Sequence, residues 1–161
     1  MASTSHPNAQ LLERFYTAFA KRDGATMRGC YAPDAMFEDE VFTLKGAEIG
    51  QMWTMLGQNA REFSLQFRDI TADDTSGRAH WEAHYLFSAT GRKVHNIIEA
   101  EFQFRQGLIV MHRDRFDFWR WSKQALGLPG LLLGWSPLIR NKVRAQAARN
   151  LAAFSASAKK E

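Results

Sequence analysis

Three amphipathic helices are predicted within the first sixty residues. Between positions 11 and 19, apolar side chains recur every three or four residues, which predicts a helix that begins near Pro7. Asp23 is placed to cap a short second helix that reaches Tyr31. The same helical spacing predicts a third helix over residues 47–56.

Alternating apolar and polar positions predict five strands, one before the third helix and four after it. The predicted strands cover residues 35–42, 61–71, 78–88, 93–105 and 107–118. Short turns separate the last four strands, so we expect them to form an antiparallel meander. Helices that come first and a sheet with one apolar face indicate an α+β fold in which a curved sheet wraps around the N-terminal helices.

The last predicted strand carries two polar residues on the face that should line the core. Val110, His112, Asp114, Phe116 and Phe118 share this face, because side chains alternate along a strand. A buried carboxylate without a partner is costly, so Asp114 should be hydrogen-bonded or should face a hydrated cavity. We interpret this row as the wall of a pocket.

The pattern changes after residue 118. A short helix is predicted over residues 119–126, a strongly apolar stretch follows it, and a basic, alanine-rich helix is predicted over residues 141–154. This tail could cap the open end of the fold or pack against a second subunit, which are the interpretations that we favour. Contact with a membrane surface is the third alternative.

We therefore expect two parts. Residues 1–118 should form one domain, with residues 1–6 loosely held, and residues 119–161 should form a C-terminal helical extension packed on that domain or on a partner subunit.

Composition is typical of a soluble globular protein. Apolar residues make up 45% and charged residues 24% of the 161 positions. The single Cys30 excludes an internal disulfide, and the N-terminal residues lack the pattern of a secretory signal, so we expect a cytoplasmic protein. The net charge of +4 comes from the last helix, which we interpret as a solvated face and not as a nucleic-acid site.

Histidine and glutamate residues on the predicted polar face offer a second candidate site. His80, Glu82 and His84 are spaced by two on one strand, and His95 lies on the next strand. Such residues can bind a metal, but on a polar sheet face they are better explained as cross-strand ion pairs. We therefore expect neither a metal nor a cofactor.

The order of elements resembles the nuclear transport factor 2-like superfamily. The residues that carry the resemblance are 31–35, 38–39, 107–110 and 112–114, together with the three helices. Within the superfamily, residues 8–118 are similar to SnoaL-like proteins, ketosteroid isomerase and limonene epoxide hydrolase. The resemblance implies a cystatin-like α+β roll, whose cone admits a small, mostly apolar molecule, and it implies a homodimer.

Two aspartates match functional positions of these relatives. Asp39 falls where the isomerases have their proton-shuttling carboxylate, and Asp114 falls where the epoxide hydrolases have one carboxylate of a water-activating trio. Other positions depart from the pattern: Phe15 stands where the isomerases have an oxyanion-binding tyrosine, and Trp81 replaces a partner of the trio.

The predicted site is an aromatic cavity in which Asp39, Asp114 and His112 perform acid–base chemistry, since apolar surroundings raise the pKa of a carboxylate. The expected substrate contacts are Phe15, Phe19, Phe37, Trp53, Trp81, Tyr85, Asn96 and Phe102. We favour a cofactor-free isomerase, cyclase or hydrolase acting on a small hydrophobic molecule. The alternative is a non-catalytic ligand-binding module or a dimeric assembly module.

Overall fold

The computed structural model describes residues 5–158 of the chain. Its elements are α1 (Pro7–Ala20), α2 (Gly24–Gly29), β1 (Tyr31–Glu38), β2 (Thr43–Lys45), α3 (Ala47–Asn59), β3 (Arg61–Ala72), β4 (Ser76–Leu86), β5 (Lys93–Arg105), β6 (Leu108–Arg115), α4 (Phe118–Leu126), α5 (Leu128–Leu133) and α6 (Pro137–Ala158). The predicted looseness of residues 1–6 falls mainly on residues 1–4, which lie outside the described residues, as do Lys159 and Lys160 of the basic tail.

Side-chain caps fix where the first two helices begin. The His6 ring nitrogen Nδ1 accepts a hydrogen bond from the backbone N–H of Asn8 at 3.1 Å, and Asp23 Oδ1 accepts one from the N–H of Thr26 at 3.1 Å. The capping role predicted for Asp23 is therefore confirmed. The second helix ends earlier than predicted, and Tyr31 is the first residue of β1.

The six strands form one curved, mixed sheet in the order β2-β1-β6-β5-β4-β3. The predicted antiparallel meander over β3 to β6 is confirmed. β1 pairs with β6 in parallel, a neighbour that the sequence pattern does not predict. This register places Phe37 opposite His112. The α+β fold class is confirmed, and the parallel pair places β1 between the short edge strand β2 and β6.

The predicted strand over residues 35–42 is wrong at its C-terminal end. β1 ends at Glu38, and Asp39 lies in the turn that leads to β2. The turn forms because the Asp39 carboxylate accepts backbone hydrogen bonds from the two residues that follow Glu40.

An irregularity in β6 also changes which residues face inward. Phe104 pairs with Ile109, whereas Gln103 pairs with Met111, so Val110 is an extra residue in the ladder. Consequently Ile109 is fully buried and Val110 is only partly buried, in contrast to the predicted alternation. Beyond this bulge, His112 and Asp114 point inward as predicted.

Helices α1 and α3 pack against the inner face of the sheet. Their contact is aromatic and dense: Phe15 and Tyr16 of α1 are fully buried, and Trp53 of α3 is 3% exposed. A smaller cluster joins the meander to α4 through Val94 and Trp121.

The long helix α6 crosses from this smaller cluster to α3. Its Leu151 is buried in the main core, and Ser155 Oγ donates a hydrogen bond to Gln51 Oε1 of α3 at 2.7 Å. Within the described residues, no helix combines the length and the apolar character that a membrane span requires.

Candidate active site

A cavity of about 780 Å³ lies between the inner face of the sheet, α3 and α6. Aromatic and aliphatic side chains form most of its wall, and Asp39 and Asp114 both line it. Of the predicted substrate contacts, those on the wall are Phe19, Trp53, Trp81, Tyr85 and Asn96. A space of this size is typical of sites that enclose a small molecule.

Asp114 of β6 is a polar residue in the part of the cavity wall that the sheet forms. Its side chain is only 3% exposed, and its Oδ1 atom accepts a hydrogen bond from His112 Nε2 at 2.8 Å and a longer one from Trp81 Nε1 at 3.4 Å. Among the described residues, Oδ2 has no hydrogen-bond partner. One oxygen of this carboxylate is therefore anchored by the protein, and the other is free to meet a bound molecule.

His112 does not reach the cavity wall. It is fully buried behind Asp114, and its Nδ1 atom lies 2.7 Å from the hydroxyl of Tyr31. The same hydroxyl accepts a hydrogen bond from the indole N–H of Trp53 at 3.0 Å. The chain Trp53–Tyr31–His112–Asp114 thus links the helix wall to the sheet wall.

Hydrogen-bond counting assigns the protons in this chain. An indole nitrogen only donates, so the Tyr31 hydroxyl accepts from Trp53 and keeps its own proton for His112 Nδ1. His112 Nδ1 is then an acceptor, and its proton sits on Nε2, where it is donated to Asp114.

Three predicted substrate contacts surround His112 and do not line the cavity. The ring centres of Phe15, Phe37 and Phe102 lie 5.8, 4.9 and 4.2 Å from the imidazole centre. Their prediction as cavity residues is corrected accordingly, since they hold the imidazole in place from behind the wall. His112 itself is a positioning residue in this geometry, because it meets the cavity only through Asp114.

Asp39 is partly buried, and it reaches the same cavity from the turn after β1. Its Oδ1 atom accepts hydrogen bonds from the backbone N–H groups of Val41 at 2.7 Å and Phe42 at 2.6 Å. Burial raises the pKa of Asp39 to about 7, the two backbone hydrogen bonds oppose the rise, and the charges of Asp114 and Glu40 add to it. This carboxyl group therefore changes its protonation state near neutral pH.

Two tyrosines near the carboxyl groups, the fully buried Tyr16 and the partly buried Tyr85, remain neutral phenols. Burial raises the pKa of Tyr85 to about 12, although its hydroxyl accepts a hydrogen bond from Trp121 Nε1 at 2.9 Å. Burial, with a contribution from the charge of Asp114, also raises the pKa of Tyr16. The Tyr16 hydroxyl has no hydrogen-bond partner among the described residues.

Tyr31 is the member of the site that the sequence reasoning missed. The helix prediction included it, so its side chain was not considered for the cavity. Alternation does not reveal Tyr31, because Tyr31 and Ala32 are both buried, Pro33 and Asp34 are both exposed, and the pairing with β6 shifts between Tyr31 and Met36.

The histidines and glutamates of β4 and β5 form ion pairs on the outer face, as predicted. His80 Nε2 and His95 Nε2 lie 2.8 and 2.7 Å from the two oxygens of Glu82, and His80 also pairs with Glu99. Hydrogen bonds from both histidines lower the pKa of Glu82 to about 2. His84 stacks on His95 at 4.0 Å instead of joining the pairs.

A curved sheet wrapped around three helices, with an internal cavity between them, defines a nuclear transport factor 2-like cone. The chain belongs to the SnoaL-like domain family, whose model matches residues 12–112, which is more than half of the sequence. The resemblance of the sequence to this family is therefore confirmed.

Solved structures agree with this assignment at the level of the fold. An LEH-like epoxide hydrolase from M. tuberculosis superposes with a TM-score of 0.65 at 20% identity, covering 81% of this chain and 98% of that one. A proposed polyketide cyclase from Xanthomonas campestris pv. campestris gives a TM-score of 0.63 at 22% identity, covering 76% of this chain and 98% of that one.

A protein with a ketosteroid isomerase-like fold from Catenulispora acidiphila, solved in complex with trimethylamine, gives a TM-score of 0.65 at 13% identity, covering 79% of this chain and 97% of that one. No curated protein matches the sequence. At these identities, the similarity to solved structures shows the fold alone.

Proposed function

We propose that this protein is an enzyme that transfers protons on a small hydrophobic molecule through its own carboxyl groups, as an isomerase, cyclase or hydrolase does. The observation that carries the proposal is that two carboxyl groups, Asp39 and Asp114, share one largely apolar cavity. Structural neighbours described as a hydrolase and a cyclase support this class of chemistry.

The two carboxyl groups suit different halves of a proton transfer. His112 and Trp81 hold one oxygen of Asp114, so its Oδ2 can take a proton from carbon or from water. Asp39, whose pKa is about 7, is partly protonated at neutral pH and can return a proton to the product side. One proton leaves the substrate and one reaches it, and exchange with solvent then restores both carboxyl groups.

The apolar wall sets the substrate class. Aromatic and aliphatic side chains form most of the lining, and Asn96 and polar residues of α6 add a few polar partners beside the carboxyl groups. The substrate should therefore be mostly hydrocarbon with a polar reacting group. His112 and Tyr31 act by keeping Asp114 in place and not by touching the substrate.

The test is a reaction screen by NMR in D2O with three probe classes: β,γ-unsaturated ketones, 1,3-diketones and aliphatic epoxides. We expect isomerisation, deuterium incorporation at carbon or diol formation with at least one class. Asp39→Asn and Asp114→Asn should each lower the rate by at least 100-fold, which is the usual contribution of a general acid or base.

Asp69→Asn is the matched control. Asp69 is an exposed aspartate at a backbone φ of 57°, a conformation that asparagine also adopts readily, so this variant should keep the full rate. Unchanged rates in both Asp39→Asn and Asp114→Asn would overturn the proposal. Tight binding of a probe that neither substitution alters would favour the ligand-binding alternative instead.

A further inference from the structure

The exposed large apolar side chains of this protein are concentrated in one region. Seven of the ten such side chains in residues 5–158 belong to the stretch from α4 to the start of α6. We call them the Leu–Trp face: Trp119, Leu128, Leu131, Leu132, Leu133, Trp135 and Leu138. Trp135 is 70% and Leu128 is 65% exposed, and an apolar cluster of this kind marks an interaction surface.

The packing of α5 shows that this face is built into the fold. A Cβ atom added at Gly130 would lie 1.9 Å from the backbone oxygen of Ser122 in α4, and one added at Gly134 would lie 2.0 Å from Ser122 Oγ. The two glycines therefore let α5 lie directly against α4. With its small residues turned inward, α5 presents its leucines outward.

The charge of this part of the chain is one-sided. Residues 118–158 carry six basic side chains and no acidic one, whereas residues 1–117 carry thirteen basic and sixteen acidic side chains. One basic group borders the face directly: the Lys123 ammonium lies 4.0 Å from the Trp119 ring centre. Arg140 follows Leu138 in α6, but its guanidinium pairs with the Glu40 carboxylate at 3.6 Å. The complementary partner is therefore anionic as well as apolar.

We propose that the Leu–Trp face docks on the surface of an anionic phospholipid bilayer. Leucine and tryptophan enter the boundary between headgroups and acyl chains, and the neighbouring Lys123 side chain meets the lipid phosphates. A second copy of the chain fits less well, because a symmetric contact would place the same cationic side chains opposite each other.

The position of the face relative to the cavity supports this assignment. Leu126 and Ile139 both line the cavity, and six of the seven residues of the face lie between them in sequence. The docked surface would therefore lie beside the cavity wall that α6 provides. Docking itself does not depend on the proposed catalytic chemistry.

The test is flotation of the full-length protein with vesicles of phosphatidylglycerol and phosphatidylcholine at equal parts, compared with phosphatidylcholine alone. We expect binding to the anionic vesicles, weaker binding to the neutral ones, and a marked loss in 0.5 M salt, roughly three times the physiological ionic strength. Leu131→Gln/Leu132→Gln should lower the anionic-vesicle affinity by at least about tenfold. Lys123→Gln should lower it about fivefold.

Substitutions outside the face are the controls. Met36→Gln/Ile97→Gln replaces two apolar residues of 48% and 37% exposure elsewhere on the surface, and Lys21→Gln removes a distant charge, so both variants should bind like the parent. Circular dichroism checks that every variant is folded. A folded parent protein that does not float with anionic vesicles would overturn the proposal. So would self-association in solution that Leu131→Gln/Leu132→Gln abolishes, because it would identify a second copy as the occupant.

Discussion

Two histidine–carboxylate pairs lie on opposite faces of the same sheet. His112 and Asp114 of β6 face inward, and His80 and Glu82 of β4 face outward. In each pair the two residues are two positions apart, and Nε2 lies 2.8 Å from a carboxylate oxygen. The pairs differ in burial, since the inner side chains are 0% and 3% exposed and the outer ones 13% and 20%.

This difference decides what each pair does. Around the outer pair, water competes for every hydrogen bond, so the pair adds little to stability and its partners are exchangeable. In the inner pair, His112 is fully buried and Asp114 meets only the cavity, so removing one member leaves a buried charge or donor without its protein partner. The same chemical pair is thus a surface feature on one face and a constraint on the fold and site on the other.

The largest expected effect comes from removing the inner imidazole. His112→Phe keeps an aromatic ring among its aromatic neighbours but leaves Asp114 without its main donor, so we expect a loss of about 3 to 5 kcal/mol in the free energy of unfolding. Urea denaturation measures this loss. His80→Phe on the outer face is the matched control, and its effect should be close to zero. Equal losses in the two variants would contradict the comparison.

The next effect concerns pH, because the pKa of Asp39 at the cavity is raised whereas the pKa of Glu82 on the outer face is lowered. The pKa of Asp39 in the folded protein is about 7, above its unfolded value, so the folded state binds more protons between pH 4 and 7. Stability should therefore fall as the pH rises through this window, by up to roughly 4 kcal/mol, and Asp39→Asn should remove the fall.

Glu82 provides the opposite case. Its folded pKa of about 2 lies below the unfolded value, so its contribution is present above pH 4.5 and is lost as the pH falls towards 2. Glu82→Gln should therefore leave the fall caused by Asp39 in place. It should also remove the stabilisation of protonated His80, whose pKa is raised chiefly by Glu82 and whose contribution is lost as the pH rises through that pKa. Denaturation curves of the parent and both variants at pH 3, 5 and 8 separate these effects. A slope at pH 5 to 8 that survives in Asp39→Asn would show that another group titrates there.

The smallest of the three effects tests the hydrogen-bonded chain Trp53–Tyr31–His112–Asp114. Tyr31→Phe leaves His112 Nδ1 and the Trp53 indole without their shared partner, so we expect a loss of about 1 to 3 kcal/mol in the free energy of unfolding. Tyr16→Phe is the control, because the Tyr16 hydroxyl is equally buried but has no hydrogen-bond partner among the described residues. Its removal should cost nothing or stabilise the protein. A larger loss in Tyr16→Phe than in Tyr31→Phe would contradict the assigned chain.

The sequence predicted the fold best where one face of a strand is apolar throughout. Alternation along β4 and β5 identified their inward residues correctly, because a one-residue shift would bury charged side chains. The bulge at Val110 and the parallel pairing of β1 with β6 were missed, since neither leaves a periodic signal in a single strand.

The candidate site was predicted in part for the same reason. His112 and Asp114 stood out as polar residues in an apolar row, whereas Tyr31 became visible only when β1 and β6 were paired. The sequence could not distinguish residues that line the cavity from residues packed behind them. Phe102 and Trp81 both occupy inward positions of their strands, but only Trp81 lines the cavity. The homodimer, the cytoplasmic location, the division at residue 118 and the catalytic roles stay predictions.

The pairing of β1 with β6 has a consequence for synthesis of the chain. Tyr31 is translated long before Leu108, and at ordinary elongation rates several seconds separate them. During this interval one edge of the nascent first strand has no neighbour, and its aromatic residues have no sheet to cover them. This protein should therefore depend on ribosome-associated chaperones more than a protein whose consecutive strands pair as they emerge.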